Sequence, residues 1–287
     1  MAEARNASTI MLVRDAPAGL EIFMMRRHIR SDFVGGAYVF PGGAVDPDDA
    51  VDESICAGRT EASASAALGL ERGGLAYWVA AIRECFEEAG VIIAYRQGGE
   101  LLDTSDAAVA ARFRALRRDL TEGKLSISEL ARREGLRLAT DRVHYWARWI
   151  TPEGQPRRYD TRFFLAVAPA RQSAVHDGHE LTDSAWVTPR AALEKAERRE
   201  WTIIFPTLRN LMLVRDLPDT AAAEAAALAR SRVAAVEPRL VRDSDGIRIL
   251  LPGDPGYDTG ASATPSSVSE LLEGSLERAL QDDDGTP

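Results

Sequence analysis

The chain has 287 residues, of which 45% are hydrophobic and 28% charged, and its 35 basic and 44 acidic side chains leave a net charge of −9. This composition is ordinary for a globular protein, and the acidic excess argues against duplex nucleic acid as a partner, because phosphate binding usually leaves a basic surface. No run approaches the roughly 18 apolar residues of a membrane span, and the N-terminus holds no secretory apolar region. The two cysteines provide no disulfide framework. We therefore expect a cytoplasmic protein with a small-molecule partner, without membrane attachment and compatible with a homodimer.

Strands are predicted at the start of the chain. Residues 8–14 and 20–27 are rich in large apolar side chains, and the DAPAG segment between them is typical of a hairpin turn. A third short strand, AYVF, lies between the glycine pairs at 35–36 and 42–43. Consecutive strands joined by short turns indicate that the sheet begins with antiparallel pairs.

A change of period marks residues 75–89. The apolar residues Trp78, Val79, Ile82 and Phe86 recur at helical spacing, and Gly90 is a natural helix stop. The sequence therefore predicts an amphipathic helix, followed by a buried strand over VIIAY.

The later segments alternate between the two periods. They predict a helical stretch over 105–134, strands over 143–150, 161–168 and 182–188, and helices from Pro189 and over 203–215. Mixed strands and helices predict an α+β domain with a mixed sheet over residues 1–217. A C-terminal extension over 218–252 is expected to hold an alanine-rich helix and a hairpin that turns at Asp245-Gly246. Residues 253–287, rich in Gly, Pro, Ser and Asp, predict a disordered acidic tail.

Three glutamates carry the main chemical signal. Glu84, Glu87 and Glu88 stand at i, i+3 and i+4, so a helix places their carboxylates on one face. Like charges repel there, and anions at the C-terminal end of a helix oppose its dipole. A solvated glutamate-rich face would show the same letters, but the opposite face is apolar, so the helix is docked. A bound divalent cation, Mg²⁺ or Mn²⁺, would offset the repulsion with oxygen ligands.

The same segment resembles the Nudix box, G-x5-E-x7-R-E-x2-E-E-x-G-U, where U is apolar. Residues 83–91 fill the second half of that pattern, and Gly42 and Gly43 resemble the first half. Asp49 falls where the first glutamate belongs, counted from Gly43. However, 33 residues (50–82) lie between Asp49 and Arg83, where the pattern has seven. The box is split by an insertion over about 50–75, and the first acid is either Asp49 or missing.

This resemblance implies a Nudix-like α/β/α sandwich with a helical insertion inside the box. It implies that Glu87 and Glu88 are the main metal ligands, that Glu84 is a ligand or catalytic base, and that the Gly43 carbonyl completes the site. The residues with structural roles would be Gly42, Asp49, Arg83 and Gly90. The split box of this chain is similar to the box of one Nudix branch, which includes a coenzyme A diphosphatase. The first expected substrate is therefore coenzyme A or an acyl-CoA.

Two alternatives to that function stay open. One is hydrolysis of ADP-ribose, NADH or a capped nucleotide. The other is a non-catalytic domain that only senses a nucleotide, although such domains usually lose the box glutamates that this chain keeps.

Candidate residues outside the box come from two loops. Glu180 is our candidate for a further catalytic acid or ligand, with a solvated loop glutamate as the alternative. Arg157 and Arg158 precede a strand and could grip a phosphate, or they could form a solvated basic turn. Ordinary surface positions are favoured over a zinc site for His176 and His179. Core packing is favoured over adenine stacking for the aromatic residues Tyr145, Trp146 and Trp149, and core packing is also expected for Cys85.

Overall fold

The computed structural model describes residues 3–28, 34–175, 181–244, 246–258, 263 and 268–281. Within these residues the strands are β1 (Arg5–Ala16), β2 (Gly19–Arg27), β3 (Tyr38–Val39), β4 (Gly42–Ala44), β5 (Ala94–Tyr95), β6 (Arg137–Leu138), β7 (His144–Ile150), β8 (Tyr159–Val167), β9 (Leu181–Val187), β10 (Ala235–Val236), β11 (Arg239–Asp243) and β12 (Gly246–Leu250). The α-helices are α1 (Glu61–Leu68), α2 (Leu75–Ala89), α3 (Ala107–Thr121), α4 (Ile127–Glu134), α5 (Pro189–Glu197), α6 (Phe205–Val214), α7 (Thr220–Leu228) and α8 (Val268–Gln281).

A mixed sheet organises the domain. Its strands lie in the order β10-β7-β8-β1-β2-β3, with β4 also paired to β1 and β9 to β2. The pairs β1–β8 and β10–β7 are parallel, and the remaining pairs of this sheet are antiparallel. Strand β1 is long enough to pair with β8 on one edge while β4 and β2 share the other. This arrangement places the glycines of β4 directly beside the central strand.

Side chains of β1 alternate between two hydrophobic cores. Ile10 and Leu12 pack on the face covered by helices α1–α4, whereas Met11 and Val13 pack on the face covered by α5–α8 and the β11–β12 hairpin. Because successive side chains of a strand point to opposite faces, one buried strand can serve both cores. The result is the α/β/α sandwich that the resemblance to the Nudix box implies.

Most predicted elements are present, with two changes. The helical stretch over 105–134 is two helices, because Gly123 adopts a positive φ of 68° after α3 and Ser126 caps the start of α4. Of the predicted strand over 91–95 only β5 pairs, although Val91, Ile92 and Ile93 are buried. The helix expected within the insertion is α1. Of the described residues, no helix is both long and apolar enough to cross a bilayer.

The C-terminal region corrects one expectation. The alanine-rich helix α7 and the hairpin are found as predicted, but helix α8 lies inside the segment expected to be disordered. Its buried residues Ser275 and Ala279 are small, and an added Cβ on Gly274 would lie 2.4 Å from the Ile247 carbonyl oxygen. The helix can therefore lie directly against β12. Small residues allow this close packing, yet the same residues give the segment the composition of a disordered tail.

Candidate active site

Helix α2 carries the glutamate cluster and is buried along most of its length. The Ser8 hydroxyl of β1 donates a hydrogen bond of 2.8 Å to the Tyr77 carbonyl oxygen. The Trp78 indole N–H donates to the Val143 carbonyl oxygen at 2.8 Å, and the Trp78 ring packs against Phe164 of β8. These contacts fix the helix on the sheet, so the positions of its glutamates relative to β1 and β4 are determined.

Arg83 is the centre of the charged cluster. Its Nε and Nη2 atoms donate to the two carboxylate oxygens of Asp49 at 2.8 and 3.0 Å. Its Nη1 atom donates to Glu84 at 2.8 Å and to Glu87 at 3.1 Å, and Nη2 also reaches the Ala44 carbonyl oxygen at 2.9 Å. Asp49 is fully buried. The structure thus brings Asp49 to the box arginine across the insertion, and a bidentate carboxylate pair is the strongest geometry for such a contact.

The two box glycines allow the cluster to approach β4. An added Cβ on Gly43 would lie 2.4 Å from Glu84 Oε1, and one on Gly42 would lie 2.5 Å from Thr9 Oγ1. The backbone N–H of Gly42 donates to a Glu88 carboxylate oxygen at 2.8 Å. A side chain at Gly43 would therefore push β4 away from α2, and one at Gly42 would push β4 away from β1.

Burial raises the pKa of several carboxyl groups in the cluster. Burial raises the pKa of Glu84, with Arg83 opposing and Glu87 adding to the shift. Burial likewise raises the pKa of Glu87 and of Asp49, while hydrogen bonds from Arg83 act in the opposite direction. One guanidinium does not compensate the desolvation of these anions. Additional positive charge beside them would be stabilising.

At the C-terminal end of α2, Arg117 of helix α3 takes part in the arrangement. Its Nε atom donates to the Glu87 carbonyl oxygen at 2.8 Å, and its Nη1 atom donates to the Val175 carbonyl oxygen at 3.1 Å. Gly90 has φ 72°, and an added Cβ there would lie 2.9 Å from Arg117 Nη1. The helix dipole favours a cation at this end of α2. The sequence predicted this helical stretch but did not indicate which of its arginines would contact α2.

At the N-terminal end, Glu61 of the insertion caps α2. Its carboxylate accepts from the N–H groups of Gly73, Gly74 and Leu75, the last two at 3.1 Å, and from the Ser65 hydroxyl at 2.6 Å. These N–H groups begin a helix and have no partner within it. Glu61 lies 14 residues before Leu75 in the sequence. No local capping pattern could have indicated it.

The donor set at the C-terminal end of α2 suits a hard divalent cation by type. Such ions prefer carboxylate and carbonyl oxygens, which Glu84, Glu87, Glu88 and Gly43 supply. The close approach of Glu84 to Gly43 and the raised pKa values of the buried acids fit that role. Arg83 lies between Glu84 and Glu87, and within the described part of the chain no three acidic, His or Cys side chains converge as a metal site.

Candidate residues elsewhere separate into several groups. Glu180, with His176 and His179, lies outside the described residues. Arg157 is exposed, whereas the guanidinium of Arg158 contacts Glu237 and the Thr151 carbonyl oxygen and is mostly buried. Core packing is confirmed for Cys85, Trp146 and Trp149, while Tyr145 is partly buried against the same core as α2.

Comparisons with known proteins give a consistent result. A family model described as the NUDT19 Nudix domain matches residues 61–214, just over half of the chain. The chain is 26% identical to the acyl-coenzyme A diphosphatase NUDT19 of Gallus gallus, over 94% of this chain and 85% of that protein. It is 24% identical to the Homo sapiens protein of the same name, over 85% and 74%. A NUDIX hydrolase structure from Alicyclobacillus acidocaldarius matches with a TM-score of 0.66 and 28% identity, covering 78% of this chain and 97% of that one.

Proposed function

Since the chain belongs to the NUDT19 Nudix domain family, we propose that it is a divalent-metal-dependent hydrolase that cleaves the diphosphate linkage of coenzyme A or of an acyl-CoA. The observation that carries this proposal is the carboxylate cluster on α2, held against the glycines of β4. The substrate is supported by the names of the chicken and human relatives. The oxygen of a water molecule would form a bond to one phosphorus, the bond from that phosphorus to the bridging oxygen would break, and the protons of the water would be lost to base or to the departing phosphate. The products would be adenosine 3′,5′-bisphosphate and a 4′-phosphopantetheine compound.

Glu84, Glu87 and Glu88, with the Gly43 carbonyl oxygen, are the residues proposed to hold Mg²⁺ or Mn²⁺. A bound divalent cation would neutralise the diphosphate oxygens and lower the pKa of water. Glu84 is buried, and its raised pKa makes it a better proton acceptor than an exposed carboxylate. We therefore assign it the role of ligand or base at the attacking water.

Arg83 has a positioning role in this proposal. It contacts Glu84 and Glu87 from the same Nη1 atom, while Asp49 fixes the other side of the guanidinium. The two carboxylates are thereby held in one orientation before substrate arrives. Pre-arranged charges of this kind act without reorganisation during the reaction.

Two loops supply the remaining proposed contacts. Glu180 is proposed as a further base or ligand, and its support is the anchoring of Val175, whose N–H donates to the Ala89 carbonyl oxygen at 2.8 Å. That bond attaches the preceding segment to the glutamate-bearing end of α2. Arg157 and Arg158 are proposed phosphate contacts. Arg157 is the more exposed of the two and therefore the more accessible to a substrate phosphate.

A cytoplasmic location is also proposed. It is supported by Cys56 and Cys85, which are both buried free thiols, as expected in a reducing compartment.

The test is product analysis with purified protein and Mg²⁺ or Mn²⁺, using coenzyme A, acetyl-CoA, ADP-ribose and NADH. We expect adenosine 3′,5′-bisphosphate from the two CoA substrates and no product in EDTA. Hydrolysis of ADP-ribose or NADH alone would contradict the substrate assignment and leave the metal site standing. No turnover of any substrate with either metal would favour a nucleotide-sensing domain.

A further inference from the structure

The last turn of α2 carries two of the three proposed glutamate ligands, Glu87 and Glu88. The final carbonyl groups of a helix have no partner within it, so a last turn frays unless other groups supply donors. Here the Gly90 N–H donates to the Phe86 carbonyl oxygen at 3.0 Å. The carbonyl groups of Glu87 and Ala89 lie beyond that bond, and their partners come from distant parts of the chain.

Two donors from outside α2 cap those carbonyl groups. Arg117 Nε donates to the Glu87 carbonyl oxygen at 2.8 Å. The Val175 N–H donates to the Ala89 carbonyl oxygen at 2.8 Å, and Arg117 Nη1 donates to the Val175 carbonyl oxygen at 3.1 Å. Gly90 permits this approach, because an added Cβ would lie 2.9 Å from Arg117 Nη1 and 3.7 Å from the Val175 carbonyl oxygen. One guanidinium therefore binds the last turn directly and also holds the backbone that caps it.

The backbone before Val175 is fixed to the chain that follows α2. The Gln172 side chain accepts from the Ile92 N–H and donates to the carbonyl oxygens of Ile92 and Leu102, each at 3.0 Å. A side-chain amide has both an acceptor and donors, so one residue can satisfy both backbone groups of another. Arg117 thus binds Val175 in a segment that Gln172 already fixes three residues earlier.

From this arrangement we infer that Arg117 is a positioning residue for the metal site, an inference that rests on the proposed function. Arginine stays protonated and is not itself a cation ligand. Arg83 contacts the carboxylate of Glu87, whereas Arg117 contacts its main chain. Without Arg117 the last turn would fray, and a cation would have to order its ligands as it binds. Groups that hold metal ligands in place typically change metal affinity or activity roughly 10–100-fold when they are removed.

The first experiment measures Mn²⁺ binding to the folded protein by calorimetry, without substrate. Arg117→Gln is compared with Arg114→Gln, the same chemical change at an exposed position of the same helix. We expect Arg117→Gln to raise the Kd for Mn²⁺ roughly tenfold. Arg114→Gln should change it by less than about twofold, because solvent screens an exposed charge. Equal Kd values for the two variants would overturn the inference and leave the hydrolase assignment intact.

Turnover distinguishes positioning of the metal ligands from a general loss of stability. In Arg117→Gln the Mg²⁺ concentration that gives half-maximal kcat should rise about tenfold, while KM for coenzyme A at saturating Mg²⁺ stays within about twofold of the parent value. A lower kcat that Mg²⁺ does not restore would contradict a role that acts through the metal ligands.

A further experiment separates this inference from the proposed function. Amide hydrogen exchange of residues 87–90, measured without metal, reports on opening of the last turn. We expect it to be roughly tenfold faster in Arg117→Gln than in Arg114→Gln, because a capping hydrogen bond is lost. Unchanged exchange in a protein that binds Mn²⁺ would refute the positioning role alone. A parent protein that binds no Mn²⁺ would refute the proposed metal site and, with it, the role of Arg117 there.

Discussion

The two ends of α2 are held by different chemistry. At the N-terminal end, Glu61 of the insertion accepts hydrogen bonds from N–H groups that begin the helix. At the C-terminal end, Arg117 of α3 donates to the Glu87 carbonyl oxygen, and the glutamates surround Arg83. The Glu61 carboxylate lies at the end where the helix dipole favours an anion. The glutamates at the C-terminal end lie where the dipole disfavours anions. The anions at the C-terminal end therefore depend on Arg83 and Arg117 for compensation, whereas the cap at the N-terminal end agrees with the helix dipole.

If the C-terminal end holds the chemistry, Glu87→Gln should have the largest effect on activity. We expect kcat to fall roughly 10²–10⁴-fold, because the substitution removes a charged ligand or base and keeps the side-chain shape. Circular dichroism and the melting temperature should stay close to those of the parent. Glu71→Gln, at an exposed insertion position, is the control. Parent-like turnover in Glu87→Gln would refute the assigned site.

Breaking the buried Asp49–Arg83 pair should have the largest effect on stability. Asp49→Leu leaves the buried guanidinium of Arg83 without its bidentate partner. We expect a loss of about 3 kcal/mol in the free energy of unfolding, measured by urea denaturation. Asp48→Leu, at the exposed neighbouring position, should change it by less than about 0.5 kcal/mol. Equal effects of the two substitutions would show that the Asp49–Arg83 pair does not hold the split box together.

The contact between Gly90 and Arg117 sharpens the comparison further. Gly90→Ala should cost about 2 kcal/mol, because the left-handed backbone disfavours a Cβ and Arg117 must also move. Gly69, which ends α1, has a similar φ of 66°, and nothing lies within 4 Å of an added Cβ there. Gly69→Ala should therefore cost only about 1 kcal/mol. Chemical denaturation of both variants measures the difference between the two losses in the free energy of unfolding. If the two costs are the same, Arg117 does not restrain this end of α2.

The smallest expected effect is at the N-terminal cap. Glu61→Gln should reduce stability by about 1 kcal/mol at neutral pH, with at most a few-fold change in kcat. Burial opposes ionisation of Glu61, but hydrogen bonds from Ser65, Leu75, Gly73 and Gly74 outweigh it and lower its pKa. The carboxylate therefore contributes stability above the ordinary glutamate pKa of about 4.3, and this contribution disappears as the pH falls through the lowered pKa.

Denaturation curves across pH 3–7 test the cap directly. The stability difference between the parent and Glu61→Gln should be constant near pH 6 to 7 and should shrink below about pH 4. A difference that does not depend on pH would mean that the charge of Glu61 is not what caps α2.

Local pattern was sufficient for several features. The bounds of α2 follow from its apolar period and from Gly90, and the hairpin at β11–β12 follows from its turn residues. The shared face of the three glutamates follows from helix geometry alone. These features depend on neighbours within a few residues, which is why they could be predicted.

Other features depend on contacts between distant segments. The sequence left open whether Asp49 or no residue served as the first box acid, and only the fold of the insertion brings Asp49 to Arg83. Helix α8 was missed because small residues that pack closely have the composition of a disordered tail.

The sequence by itself thus determined the glutamate-bearing helix, through its short-range periodicity, and the resemblance to the Nudix box, through a local motif that implied the sandwich architecture. Tertiary structure alone decided which arginine contacts each carboxylate and how the insertion caps α2. Partners such as Glu61 and Arg117 are chosen by proximity in space, and many charged residues in the chain would have matched the same local pattern.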